Sequence, residues 1–247
     1  MFSLGTDYRT QWYKNIRKSP NATFTSSNGL VTASAFNLGS NNKVVDPNTT
    51  ALTAANYSDE RGLGVCSADE SAGLCGETDG YYNHVGIWDG EEAELDGMGS
   101  SEFILLTANN GTHFSGLFTL GSLDLNSSNT PEKGFLGVQS TDSEGVVTIT
   151  KFVEFQPGAV TVLGGPIGLT ASIAGTGGLW TLTLSSQFNA LGLTEVVFGA
   201  NPESNGNRND YLVRGASVVP IPAAAWLFGS ALVGLVGLGR RKLAPAA

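Results

Sequence analysis

The densest group of acidic side chains lies in one short segment, DGEEAELDG. Its five carboxylates are those of Asp89, Glu91, Glu92, Glu94 and Asp96. Carboxylate oxygens grouped on a turn are the ligands that Ca²⁺ prefers, which makes this segment a candidate calcium site. A solvated acidic loop is the alternative interpretation, because the spacing does not follow the EF-hand loop. We expect no cofactor apart from calcium at this segment.

Cys66 and Cys75 are nine positions apart within GVCSADESAGLCGE. A disulfide between them would contribute about 2 to 3 kcal/mol by the loop-closure estimate, and it would imply an oxidising compartment. The alternative is two unrelated reduced thiols. A zinc site is not indicated, because no second CxxC pair or paired histidines accompany them. The pair therefore favours a disulfide in an exported protein.

The sequence shows no pattern typical of an active site. His84 and His113 are the only histidines, and neither adjoins a nucleophile motif. The segment GSSEF lacks the Gly-x-Ser-x-Gly elbow, and carboxylate pairs for glycoside hydrolysis depend on separations that chain order does not give. Trp88 and Trp180 could line a sugar-binding face, although aromatic residues that alternate along strands are typical of a core. We predict that the protein is not an enzyme.

The charge distribution argues against nucleic acid as a partner. The formal net charge is −9, and residues 19–222 contain six basic residues against 21 acidic ones. Such a surface repels phosphate backbones and offers no basic track along which they could bind.

The elements that would position these groups are short strands. Period-2 alternation between turn residues begins near residue 22 and recurs in about ten segments, as in GLVTASAFNL and GLWTLTLSS. Residues 38–61 are rich in Asn, Asp, Thr and Ser and predict a loop. We predict an all-β fold, an antiparallel β-sandwich or jelly-roll-like domain over residues 21–218.

The two flanks of this domain differ in character. Residues 1–20 form an irregular basic segment without the apolar stretch of a secretory signal, so we expect that a leader precedes the given start. Residues 223–239 contain 17 uncharged residues and are followed by Arg240, Arg241 and Lys242 in a basic tail, 240–247. As a helix this stretch would be about 25 Å long, close to the thickness of a bilayer core. It predicts a C-terminal transmembrane helix, and a buried core helix is the alternative.

The basic residues also predict the orientation of that helix. Lys and Arg that flank a membrane span are retained on the cytoplasmic side, so the acidic domain would lie outside the cytoplasm. This agrees with the oxidising compartment that the cysteines favour.

The C-terminal region resembles a known sorting signal. Its motif is Val219, Pro220, Ile221, Pro222 and Ala223, followed by the apolar stretch and the basic residues. This order resembles the PEP-CTERM signal in its VPLPA-type form; Ile221 stands where the commoner form has Glu. The resemblance implies an exosortase-type membrane enzyme as partner. It implies transit through the inner membrane of a Gram-negative bacterium, then delivery to the cell surface or the extracellular polymeric matrix.

Three functional hypotheses follow. The first is a structural protein of the cell surface or matrix, with the membrane and the exosortase-type enzyme as partners. The second is a carbohydrate-binding or calcium-binding module, for which extracellular polysaccharide would be the ligand. The third is a secreted hydrolase.

Overall fold

The computed structural model of the protein describes residues 23–26, 28–38, 41–44, 50–57, 60–67, 85–87, 101–121, 123, 131–200 and 209–220. These residues form fourteen strands and one helical turn, α1 (Ser186–Asn189). In chain order the strands are β1 (Phe24–Thr25), β2 (Val31–Leu38), β3 (Thr50–Tyr57), β4 (Glu60–Ser67), β5 (Val85–Ile87), β6 (Ser101–Ala108), β7 (Thr112–Gly121), β8 (Gly134–Thr141), β9 (Val147–Gln156), β10 (Ala159–Val162), β11 (Ala171–Thr176), β12 (Leu179–Leu184), β13 (Glu195–Ala200) and β14 (Asn209–Pro220).

The strands form two antiparallel sheets that pack as a β-sandwich. The first sheet has the order β1-β2-β6-β13-β8-β9-β10, and the second has the order β11-β12-β7-β14-β4-β3 with β5 paired to β14. Consecutive strands are often not neighbours. β6 and β7 follow each other in the chain but lie in different sheets, and so do β13 and β14.

A two-residue turn makes one of these crossings between sheets. Asn110 and Gly111 both have positive φ, and the Thr112 amide donates to the Asn109 carbonyl at 3.0 Å. Two positive φ values in succession define a type I′ turn, for which Asn-Gly is the preferred pair. The Asn109 side chain also donates to the Thr32 hydroxyl at 2.8 Å, which fixes the turn against β2.

The core between the sheets is aromatic. Phe118 of the second sheet meets Phe198 of the first with ring centroids 5.2 Å apart in an edge-to-face arrangement. Phe118 also meets Phe188 of α1 edge-to-face at 6.0 Å. All three side chains are fully buried. Aromatic pairs in this geometry stabilise a core beyond the area they bury.

Tyr211 of β14 ties the two sheets together by a hydrogen bond. It is fully buried, and its hydroxyl donates to the Gly199 carbonyl of β13 at 3.0 Å. Its ring packs edge-to-face on Phe155 at 5.2 Å. Space for both rings depends on Gly134, where a Cβ would lie 2.6 Å from each of them. The hydroxyl is therefore satisfied in a region where an unpaired polar group would be costly.

The first sheet also buries its other face. Phe36, Phe103 and Phe135 line that face, with centroids 4.9 Å apart for the first pair and 6.1 Å for the second. The rings of Phe103 and Phe135 meet above Gly199, where a Cβ would lie 2.6 Å from Phe135. We call this the outer cluster; its buried members are Phe36, Leu38, Phe103, Phe135, Val147 and Val197.

Curling of the first sheet encloses the outer cluster. Leu38 ends β2 and Val147 begins β9, and three strands separate β2 from β9 in the sheet. Even so, the Val147 amide donates to the Asn42 carbonyl at 2.8 Å, and Val44 bridges Leu38. The segment 41–44 therefore joins two distant strands, which is the consequence of strong sheet twist.

The structure confirms the predicted all-β sandwich and corrects two details. The loop predicted for residues 38–61 is wrong over β3 and the start of β4, where TALTAANY pairs with ERGLGVCS along its whole length. β11 was not predicted, because ASIAGT has a single large apolar side chain, Ile173, and therefore shows no apolar alternation. The segments 1–20 and 240–247 lie outside the described residues. Among those residues no helix is long and apolar enough to cross a membrane, and the predicted span 223–239 lies beyond them.

The buried hydroxyl of Tyr211 predicts a specific loss of stability at high pH. Burial raises the pKa of Tyr211 well above its usual value, so the folded state holds this proton more tightly than the unfolded chain. Its contribution to the free energy of unfolding is complete below pH of about 10 and decreases as pH rises further.

Thermal unfolding of the wild type and of Tyr211→Phe should therefore be compared from about pH 8 to about pH 11. At about pH 8 we expect the variant to be less stable by about 1 kcal/mol, because it lacks the hydrogen bond to Gly199. The difference should shrink as pH rises. Parallel pH profiles for the two proteins would contradict the assignment.

Candidate functional site

The predicted sorting motif begins inside the sandwich. Val219 and Pro220 are the last two residues of β14. The remaining predicted site residues, apart from Cys66, lie outside the described part of the chain: Ile221, Pro222, Ala223, Arg240, Arg241, Lys242, Cys75, Asp89, Glu91, Glu92, Glu94 and Asp96. Cys66 lies in β4, opposite Ala51 of β3. The disulfide and the calcium site stay predictions.

β14 is paired with β7 as far as the motif. Val218 lies opposite Phe114, Val219 opposite His113 and Pro220 opposite Thr112. The amides of Thr112 and Phe114 donate to Asn109 and Leu193, so the His113 amide between them faces β14. Proline lacks an N–H and is tolerated at the end of a strand, where no further ladder bond is needed. The motif is therefore continuous with a paired strand.

His113 anchors this end of the ladder to α1. Its side chain is almost fully buried, and its Nε2 lies 2.8 Å from Oδ1 of Asn189. An amide oxygen only accepts, so Nε2 is the nitrogen that donates. Within the described part of the chain the buried Nδ1 has no hydrogen-bond partner. His113 thus links β7, opposite Val219, to the helical turn.

The helical turn is in turn bonded to the loop between β10 and β11. The Ser185 amide donates to the Thr170 carbonyl at 2.9 Å, and the Thr170 amide donates to the Ser185 hydroxyl at 3.1 Å. A reciprocal pair of this kind satisfies backbone groups at the helix start. The loop 163–170, α1 and the end of the β7 and β14 ladder therefore form one hydrogen-bonded unit.

The hydrogen bonds of this unit hold its segments together. His113 is bonded to an amide and not to a hydroxyl, thiol or carboxylate that it could activate. The described residues contain no group of three or more His, Cys, Asp or Glu side chains that could hold a metal ion. Trp180 packs against the core, and its indole N–H donates to the Leu123 carbonyl at 2.8 Å. This placement matches a core tryptophan.

Sequence reasoning missed the hydrogen bond between His113 and Asn189 that links β7 to α1. Asn189 gives no signal of its own, since its partner His113 is 76 positions away. The Asn-Gly pair at 110 and 111 was the available signal, because it marks a tight turn just before Thr112 and His113. It would have placed the start of β7 but not its partner strand.

Comparison of the chain with protein-family models, with curated proteins and with solved structures found no match.

Removal of the Asn189 amide tests the link between α1 and β7. Asn189→Ala leaves a buried Nε2–H of His113 without an acceptor, so we expect the free energy of unfolding to fall by about 1 to 3 kcal/mol. Gln187→Ala is the matched control on the same turn. Its side chain is exposed, and we expect a change within about 0.5 kcal/mol. Urea unfolding measures both; equal effects of the two substitutions would exclude a structural role for the bond.

Proposed function

We propose that this chain is an exported surface protein whose β-sandwich is joined directly to a membrane-sorting signal at residues 219–242. The observation that carries the proposal is the junction itself. A paired strand ends at Pro220, and the sequence then continues with Ile221 and Pro222 into seventeen uncharged residues and three basic ones. A globular domain, a short proline motif, an apolar span and a basic stop thus occur in that order.

The physical properties of the segment support a membrane span. Residues 223–239 would form a helix of about 25 Å, and the flanking arginines and lysine would hold its far end in the cytoplasm. The sandwich would then fold on the other side of the membrane.

The proline motif supports processing by a membrane enzyme. Proline holds the chain extended and keeps the preceding residue out of helical geometry, so Ile221 and Pro222 would separate β14 from the proposed helix. A membrane-embedded protease would find an extended backbone at this point. In the PEP-CTERM family that the segment resembles, this is the part that an exosortase recognises.

The proposed role is structural and not enzymatic. After processing near Pro222 the sandwich would be released from the inner membrane of a Gram-negative bacterium and become part of the cell surface or the extracellular polymeric matrix.

Processing can be tested in a Gram-negative host with and without an exosortase. Fractionation and intact mass should find a species that ends near Pro222 outside the cell when the enzyme is present. Without the enzyme the full-length chain should stay in the inner membrane. The expected reason is that only the enzyme separates the sandwich from its membrane span.

Two variants sharpen this experiment. Pro222→Ala removes one proline of the motif and should leave the full-length chain in the membrane even with the enzyme. Pro157→Ala, in the turn between β9 and β10, is the matched control and should be processed like the wild type. A full-length chain in the membrane of both strains would mean a permanent anchor, and a chain found in no membrane fraction would remove the proposed span.

A further inference from the structure

Several loops meet at the end of the sandwich where β14 finishes. We call this the Pro220 end and define it by the segments 28–31, 109–113, 163–170, 186–194 and 218–220. The Asn109 amide donates to the Leu30 carbonyl at 2.8 Å, the Phe114 amide donates to the Leu193 carbonyl at 2.9 Å, and Pro220 lies opposite Thr112. The Ser185 and Thr170 bonds attach the segment 163–170 to α1.

The Pro220 end carries no Asp, Glu, Lys or Arg in any of its five segments. The chain as a whole has 35 such residues, 22 acidic and 13 basic. The nearest carboxylate along these segments is Glu195, the exposed first residue of β13. A surface without formal charge can approach an apolar or interfacial phase without the desolvation cost of an ion.

Exposed aliphatic side chains are concentrated at the same end. Ile167 is 102% exposed, Leu163 50% and Leu191 41%. Ile167 and Leu163 lie on the loop 163–170, and Leu191 lies two residues after the end of α1. Of the large hydrophobic side chains exposed in the described part of the chain, the two others are Val162, next to Leu163, and Val44.

The length of chain between β14 and the proposed span brings this end close to the membrane. From Pro220 to Ala223 the backbone extends at most about 10 Å. The head-group layer on each side of the hydrocarbon core is itself about 5 to 8 Å thick. Because Pro220 is still paired with Thr112, the sandwich cannot move away from the bilayer on a linker.

We infer that the Pro220 end rests on the lipid surface, with Ile167, Leu163 and Leu191 inserted at the head-group boundary. The inference rests on the proposed function, because it needs residues 223–239 in the membrane. The long axis of the sandwich would thus be roughly perpendicular to the bilayer, and the peptide bonds after Pro220 would lie at a fixed distance from the membrane surface. Lipid contact would be made by uncharged loops with aliphatic tips, as in interfacial membrane binding.

Photolabelling of the full-length chain in lipid nanodiscs tests the orientation. The probe is a phosphatidylcholine that carries a diazirine at the head-group end of one acyl chain. After illumination and chymotryptic digestion, mass spectrometry compares three regions of the wild type. We expect several-fold more label on 163–170 and 189–194 than on the exposed residues Thr176 and Gly177, which lie at the other end of the second sheet.

A pair of variants controls for non-specific labelling of the protein surface by the lipid probe. Ile167→Asp places a charge at the most exposed aliphatic position and should reduce the label on 163–170 several-fold. Thr176→Asp, at an exposed position on the opposite turn, should leave the pattern unchanged. Both substitutions are at the surface, and circular dichroism confirms that each variant is folded.

The label on residues 223–239 separates failure of this inference from failure of the proposed function. Label on the span with none on the two loops would overturn the orientation and leave the anchor in place. If label is on the span but not on the two loops in nanodiscs that hold two chains, a second copy of the chain covers the loops. That result also overturns the proposed orientation. No label on the span would instead remove the proposed membrane segment, and the orientation with it.

Discussion

The pairing of β14 with β7 holds the second sheet together and fixes the position of Pro220, where the chain leaves that sheet. β14 lies between β7 and β4, so it joins the β11-β12-β7 half of the sheet to the β4-β3 half. The two strands are in register from Leu212 opposite Gly121 to Pro220 opposite Thr112, with irregularities after Val213 and after Ala216. Such bulges increase local twist and let a long strand follow the curvature of a sandwich. The orientation proposed for the sandwich on the membrane depends on this ladder.

Some of the closest contacts of the first sheet depend on glycine. Tyr211 reaches across the core to the Gly199 carbonyl, and Gly134 leaves room for its ring beside Phe155. On the opposite face of the same sheet, Gly199 leaves room for Phe103 and Phe135. Gly199 therefore serves both faces of the first sheet. A side chain at position 199 would collide with Phe103 and Phe135 of the outer cluster, and the carbonyl of the same residue accepts the hydrogen bond from Tyr211.

Burial on both faces explains which strands could be predicted from the sequence and which could not. β7 and β12 alternate between buried and more exposed positions, and their period-2 pattern was sufficient. EVVFGA in β13 is buried at every position after Glu195, so it reads as a continuous apolar run. β3 and β11 are rich in Ala and Thr and contain one large aliphatic side chain each, Leu52 and Ile173. Tertiary pairing with β4 and β12 makes them strands against a weak local preference.

The site was harder to predict than the fold. The sequence predicts a motif that begins at Val219 and Pro220, but it does not predict that these residues pair with His113 and Thr112, more than a hundred positions earlier. Sheet order is a matter of long-range pairing, which a local pattern does not encode. The aliphatic tips at Ile167 and Leu191 look like ordinary core residues in the sequence. Only the fold shows that they are exposed and at the same end as Pro220.

Amide hydrogen exchange can show whether the folded sandwich continues into the proposed motif. The full-length chain would be exchanged in lipid nanodiscs, and fragmentation that resolves single residues would compare Val213 with Val219. We expect both amides to be protected, because β14 is paired with β7 through Pro220. Protection at Val213 with free exchange at Val219 would show that the strand ends earlier and that the motif is a loose linker, which would contradict the account.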